Sequence, residues 1–419
     1  MPFFNFKIVK KDSNSLARAG IFITPHGAIE TPAFLPVATN AALKGLNINK
    51  HKSLPIRVFI ANTYHLWQRP GDGVIKKIGG LHKFMNWDGP IFTDSGGFQA
   101  FSLGCGREQG VGKIGSVFTD ENVNCVEKNN VKRENLVKIN EKGIKFRSFI
   151  DGSWQELTPE KSIKIQENLG ADVIFAFDEC TSPTHDYKYT KDSLDRTHGW
   201  AERCLKAKAR NDQALFGIVQ GGVWKDLRMK SARFISRLPF DGFGIGGSLG
   251  KSKKDMYNIL DWVVPLLPEN KQRHLLGIGG VEDIFEGISR GVDTFDCASP
   301  TKEARHGTLW TKGGKINIRK AIYKNDKKPI EKKCGCFTCL NGFSRAYLRH
   351  LLNAGEILGY ELAILHNLYF VLNLMKEIRE SIINNNFDKL KSSFLKNFKI
   401  CFAATRSQQC RRVGSWRDD

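Results

Sequence analysis

The stretch from Val292 to Arg305 runs through an apolar, strand-like segment to Asp296 and then directly into Lys302 and Arg305. A carboxylate at the end of a buried strand can serve as nucleophile or base, and cations just beyond it can hold a polyanionic substrate over it. Two other segments repeat the pattern: Ile91 to Gln99 stops at Asp94, and Val173 to Cys180 stops at Asp178. A lone Asp after a strand is more often a turn former or a helix N-cap. Three such acids, accompanied by Gln220 and by the glycine pairs at 96–97, 221–222 and 246–247, read better as one lining for a flat ligand, because glycine lets backbone come close to it.

A second constellation has metal-ligand character. Cys334, Cys336 and Cys339 place three thiolates within six residues, and His366 follows on an amphipathic stretch, with His350 as the rival fourth donor. Three Cys and one His close a tetrahedral site with no open position, which is the pattern of a structural zinc.

The acids need a frame. Eight apolar runs of strand length can be read, at 33–38, 56–61, 214–219, 241–245 and 273–277 and in the three segments ending at Asp94, Asp178 and Asp296. They lack polar alternation, as strands buried on both faces of a parallel sheet do. Helical stretches separate many of them: Thr158 caps a helix opened by Pro159 and closed by Gly170, another runs from Trp224 to Leu238, and a third from Val281 to Arg290 ends at Gly291. This alternation predicts an α/β fold, a (β/α)8 TIM barrel over residues 1–320 followed by a C-terminal zinc-binding subdomain and helices over 321–419. Asn62, Asp94, Asp178, Gln220, Gly246, Gly247 and Asp296 would share its mouth. From Gly104 to about Lys142 the chain is Gly- and Asn-rich, charged and aperiodic, which predicts an insertion in a mouth-side loop; residues 401–419 lack a pattern and are expected to fray.

With 64 Lys and Arg against 43 Asp and Glu, the formal net charge is +21, an excess that favours nucleic acid. Much of it falls between the last barrel strand and the cysteines, at Arg319, Lys320, Lys324, Lys327, Lys328, Lys332 and Lys333. Ten cysteines in 419 residues make no disulfide framework. Met1 to Phe6 shows no signal segment, and no run is read as long enough to cross a bilayer, so the expectation is a soluble cytoplasmic protein without a membrane partner.

These residues resemble the tRNA-guanine transglycosylase (queuine tRNA-ribosyltransferase) family, in its bacterial type. The resemblance starts at Ala17-Arg-Ala-Gly20 and Thr24-Pro-His-Gly27, passes through Ala61-Asn-Thr-Tyr-His-Leu66, the Asp94 and Asp178 segments, Gly217-Ile-Val-Gln-Gly221 and Gly277-Ile-Gly-Gly280, and reaches the Asp296 segment and the cysteine cluster. It implies that the wobble guanine of tRNAs with a U-G-U anticodon context is exchanged for a 7-deazaguanine. It implies Asp296 as the nucleophile that forms a covalent RNA intermediate, and Asp94 as the group managing the proton. It places the base against Asp94, Ser95, Gly96, Gly97, Phe98, Asp178, Gln220, Gly246 and Gly247. It places the RNA against Gly277, Ile278, Gly279, Gly280, Val281, Glu282 and Asp283, and against Thr301, Lys302, Glu303, Ala304 and Arg305. It favours His366 over His350 as the fourth zinc ligand, and a homodimer.

Two departures from the family pattern limit what the resemblance implies, and the second bears on the incoming base. Lys302 stands where the family commonly has Arg, and Ser248-Leu-Gly-Lys251 replaces the usual stretch shaping the floor beneath the 7-substituent. Cys180 points back to the bacterial type. The reading favours preQ1, with queuine the alternative. A non-catalytic RNA-binding barrel subunit would not need all three acids, and a barrel hydrolase or lyase for a small anionic metabolite would need neither the zinc subdomain nor a net charge of +21.

Overall fold

The computed structural model describes residues 4–47, 54–101, 137–148, 150–247 and 249–410. Eight strands close a barrel: Ala33–Ala38, Phe59–Ala61, Ile91–Thr93, Val173–Phe175, Ala214–Val219, Gly242–Ile245, Gln272–Leu275 and Thr294–Cys297. Every neighbouring pair is parallel, and the ring closes between Ile91–Thr93 and Val173–Phe175. Each of the eight apolar runs supplies one of these strands.

The barrel interior is filled by aromatic rings. Phe92, Phe175 and Phe216 meet with centroids 5.6–6.3 Å apart. The strand Gly242–Ile245 makes room for them, since a Cβ on Gly242 would lie 2.4 Å from the Phe216 ring. Truncating Phe216 to Ala would leave a cavity and cost about 3–5 kcal/mol. Below these rings an antiparallel sheet of Asn5–Lys11, Arg18–Thr24 and Gly27–Thr31 closes the barrel's N-terminal end. Phe22 plugs it, 5.9 Å from Phe216.

The conspicuous N-terminal motifs do structural work at this end, away from the acids. Arg18 grips Asp293 with two bonds of 2.8 and 2.6 Å, both side chains almost wholly buried. The buried Asp172 lies against the rings of His26 and His82, at 2.8 and 3.2 Å, and accepts the Ile91 N–H. These contacts tie the sheet to the start of three barrel strands.

Three expectations are corrected. The end of the segment read as aperiodic is a strand, Val137–Asn140, paired antiparallel with Gly143–Arg147, which pairs in turn with Trp154–Leu157. Four alternating residues among Asn and Lys are too short a signal to stand out; residues 102–136 of that segment lie outside the described ones. The last helix, Phe387–Cys410, continues through 401–410 instead of fraying, while Arg411, Arg412, Asp418 and Asp419 lie outside the described residues. Finally, Ile357–Ile383 is long and apolar enough to cross a membrane by length and composition, against the expectation that no run was, but 67% of its most apolar window is buried inside the protein. The helix is apolar on most sides because it packs between the strand Ala33–Ala38, the helix Ser299–Arg305 and the cysteine-bearing segment.

Candidate active site

The acids do converge on the C-terminal mouth, each held by a different strand end. Asp94 follows Ile91–Thr93 and is gripped by the loop after the neighbouring strand: the Asn62 amide donates to Oδ2 at 2.5 Å and the Thr63 N–H to Oδ1 at 2.8 Å. Asn62 also caps the helix Thr63–Gln68 through its Oδ1, so one side chain fixes both the helix and the acid. Burial drives the Asp94 pKa up to about 7; the Thr63 N–H opposes this and the charge of Asp296 reinforces it. Asp94 and Asp296 are therefore electrostatically coupled across the mouth.

Asp178 is 7% exposed and lies between Ser95, whose hydroxyl donates at 3.0 Å, and Gln220, whose amide donates at 2.6 Å. Burial again raises its pKa, to about 6, against these two donors. Gly97 packs onto the Asp178 carbonyl, where a Cβ would lie 2.7 Å away. Gly247 has φ +76°, and a Cβ there would overlap Gln220 Oε1, so only glycine fits. Phe98 is 45% exposed, at the rim. Asp178 should leave a pH signature on stability. Its folded pKa exceeds its unfolded value, so the cost of its charge is absent below pH 4 and full above pH 6. Asp178→Asn should then stabilise the protein by up to about 3 kcal/mol at pH 8 and leave it unchanged below pH 4, in denaturant melts; an equal effect at both pH values would contradict the assignment.

Asp296 lies within Thr294–Cys297, with its side chain 15% exposed. The Gly277 N–H donates to Oδ1 at 2.9 Å, and His274 Nε2 lies 3.0 Å from the same oxygen. Sequence reading passed over His274. Behind it, Gln272 Nε2 donates to Thr294 Oγ1 at 2.9 Å, and Thr294 Oγ1 lies 2.9 Å from His274 Nδ1. An ionised carboxylate only accepts, so Nε2 carries the proton given to Asp296, and in the neutral ring Nδ1 is left to accept from the Thr294 hydroxyl. The available signal was two polar residues at alternate positions, Gln272 and His274, flanking Arg273 in a short run that reads as one of the eight barrel strands.

A second residue was also missed. Arg228 is fully buried and donates to the carbonyls of Val219, Gly222 and Gly246 at 3.0, 2.7 and 2.9 Å, clamping the Gln220 and Gly247 loops together.

The RNA-side residues divide. Gly277 and Lys302 are exposed and Gly280, Glu282 and Arg305 partly so, but Ile278, Gly279, Val281, Asp283, Thr301 and Ala304 are buried and shape the loops instead. Asp283 is taken by the Tyr257 hydroxyl, and Glu303 by Trp310 Nε1 and Lys315. Ser248 lies outside the described residues.

Cys334, Cys336, Cys339 and His366 come together as a group able to hold a metal ion, and the exposed His350 is not part of it. The sulfurs lie 3.7, 3.4 and 3.6 Å from His366 Nδ1, near the ~3.6 Å edge that Zn–S and Zn–N bonds subtend in a tetrahedron. His366 Nε2 lies 2.7 Å from the Trp310 carbonyl, so its proton sits there and Nδ1 is left to ligate.

A parallel (β/α)8 barrel with coupled carboxylates at its strand ends and a Cys3His subdomain is the architecture of a barrel enzyme that works by carboxylate chemistry. The comparisons specify the lineage. The family model described as queuine tRNA-ribosyltransferase matches residues 12–124 and 115–400. A relative from Archaeoglobus fulgidus is 53% identical over 90% of this chain and 96% of its own length. Queuine tRNA-ribosyltransferases of Thermoanaerobacter sp. and Lactococcus lactis are 46% and 45% identical, over 95% and 94% of this chain and 98% and 96% of theirs. The chain belongs to the queuine tRNA-ribosyltransferase family.

Proposed function

We propose that this enzyme exchanges the wobble guanine of U-G-U anticodon tRNAs for a 7-deazaguanine by double displacement. Asp296 attacks C1′ through Oδ2, the oxygen that neither Gly277 nor His274 engages. The C1′–N9 bond breaks as the C1′–O bond forms, and Asp94 supplies the proton with which guanine leaves neutral. The incoming base then gives its N9 proton to Asp94, attacks C1′ and releases the Asp296 carboxylate, so two inversions retain configuration. The observation carrying this reading is the raised pKa of Asp94, about 7 and partly due to Asp296. Near neutral pH such a group can both donate and accept a proton. Esterifying Asp296 removes its charge, which lets Asp94 ionise as guanine departs.

Asp178 accepts hydrogen bonds from the N–H edge of the base, Gln220 donates to its carbonyl, and the Gly247 backbone and Phe98 border the ring. Lys302, Arg305 and the Gly277 loop hold the neighbouring nucleotides. The metal ion is zinc and structural. The incoming base is preQ1, the enzyme acts in the cytoplasm, and it does so as a homodimer. Incubation with radiolabelled guanine and unmodified tRNA tests the reaction: label should enter U-G-U tRNAs only. Tight binding without incorporation would favour a non-catalytic subunit instead.

Two substitutions probe the roles. Asp178→Asn should weaken guanine selection more than tRNA binding, and equal losses would argue against base reading. His274→Phe removes the bond that orients Asp296, and misplacement of this kind costs about 10- to 100-fold in kcat. The KM for tRNA should stay unchanged and His274→Gln should restore part of the rate; a rise in KM alone would show that His274 serves RNA binding instead.

A further inference from the structure

The small antiparallel sheet of Val137–Asn140, Gly143–Arg147 and Trp154–Leu157 lies in the connection that follows the Asp94 strand, and its two faces differ sharply. Ile144, Phe146 and Leu157 are buried beneath it. The Phe146 ring lies 5.3 Å from Tyr64, and Leu157 packs near Gly96, so this underside is fastened to the loops that flank Asp94. The outer face carries Lys138, Lys145, Arg147 and Trp154, all exposed.

Lys138 and Lys145 are direct cross-strand partners, and Arg147 is paired with Trp154. Their cationic groups lie 5.7, 5.6 and 4.7 Å from the Trp154 ring centroid. Like charges directly opposite on a sheet destabilise it. Glu156, the one acid on this face, stands opposite Lys145 on the other flank, but its carboxylate is bound by Lys142 at 2.7 Å, and among the described residues neither Lys138 nor Lys145 forms an ion pair with a carboxylate. Three cations around an exposed indole, on the working side of the barrel, are complementary to a phosphate backbone with an unstacked base, since bases stack on aromatic rings while cations track the phosphates.

We propose that this face is a second docking surface for the tRNA, taking phosphates outside the anticodon triplet and stacking one base on Trp154. The inference rests on the RNA substrate proposed above. It is tested with full-length tRNA in guanine exchange and, separately, in filter binding. Trp154→Ala and the pair Lys138→Gln with Lys145→Gln should each raise the KM and the Kd for tRNA about 5- to 20-fold, with kcat unchanged. The double variant should also flatten the dependence of log Kd on log salt by about 1 to 2. Trp154→Phe should restore most of the affinity, which a loss of folding would not allow. Unchanged KM, Kd and salt slope in a wild-type background that exchanges guanine would overturn the surface alone. A wild-type protein that binds tRNA through this face without exchanging guanine would overturn the proposed reaction and leave the surface standing.

Discussion

Replacing Asp296 with Ala should lower guanine exchange by at least about 10⁴-fold and abolish the RNA-linked species on denaturing gels, while tRNA binding changes little. The size of the effect follows from geometry. Gly277 and His274 both hold Oδ1, so the carboxylate is fixed in one orientation at the mouth and no neighbour can take over its attack. Asp94, the other acid beside the proposed attack site, has both oxygens engaged, by the Asn62 amide and the Thr63 N–H, which leaves it a poorer nucleophile. Asp296→Asn should be as inactive as Asp296→Ala. An undiminished adduct in either variant would assign the attack elsewhere.

Removing the metal should have the other large effect. A structural zinc contributes folding energy outright, on the order of 10 kcal/mol in small domains. Here its loss would reach the loop proposed to hold RNA by a short route. His366 belongs to the group proposed to hold the metal, and its neighbour Asn367 accepts the Trp310 N–H at 2.9 Å and donates to the carbonyls of Pro300 and Thr308, both at 3.0 Å. Pro300 opens the helix Ser299–Arg305, which carries Lys302 and Arg305. Cys336→Ala, or chelation under mild denaturant, should unfold the cysteine-bearing part, expose sites beyond residue 320 to protease, and raise the KM for tRNA. A metal-free protein with unchanged melting and unchanged exchange would show that the four residues hold nothing the fold needs.

The frame of this molecule was legible because a barrel strand buried on both faces writes a mostly apolar run, as Ile91–Thr93, Val173–Phe175 and Ala214–Val219 do, although Gln272–Leu275 departs from this. Asp94, Asp178 and Gln220 stood out for the same reason, as polar residues at the point where such a run stops. His274 did not, because it lies inside a strand and its partners Gln272, Thr294 and Asp296 become neighbours only when two strands pair in register, with His274 opposite Thr294. Arg228 was hidden likewise, since its carbonyl partners belong to loops that sequence places apart. The buried positions within 277–283 and 301–305 show the converse limit: a motif marks which residues build a loop, not which of them face the ligand. The helix Ile357–Ile383 misled in a third way, because an element enclosed by two parts of the protein is as apolar as one enclosed by lipid.

The most direct measurement is the site of the covalent bond. Enzyme and unmodified tRNA, denatured during turnover and digested with protease and ribonuclease, should yield one peptide carrying a nucleotide mass, with fragmentation placing it on Asp296. Attachment to Asp94 or Asp178 would contradict the assignment of roles, and the absence of any linked peptide from an enzyme actively exchanging guanine would contradict the double displacement itself.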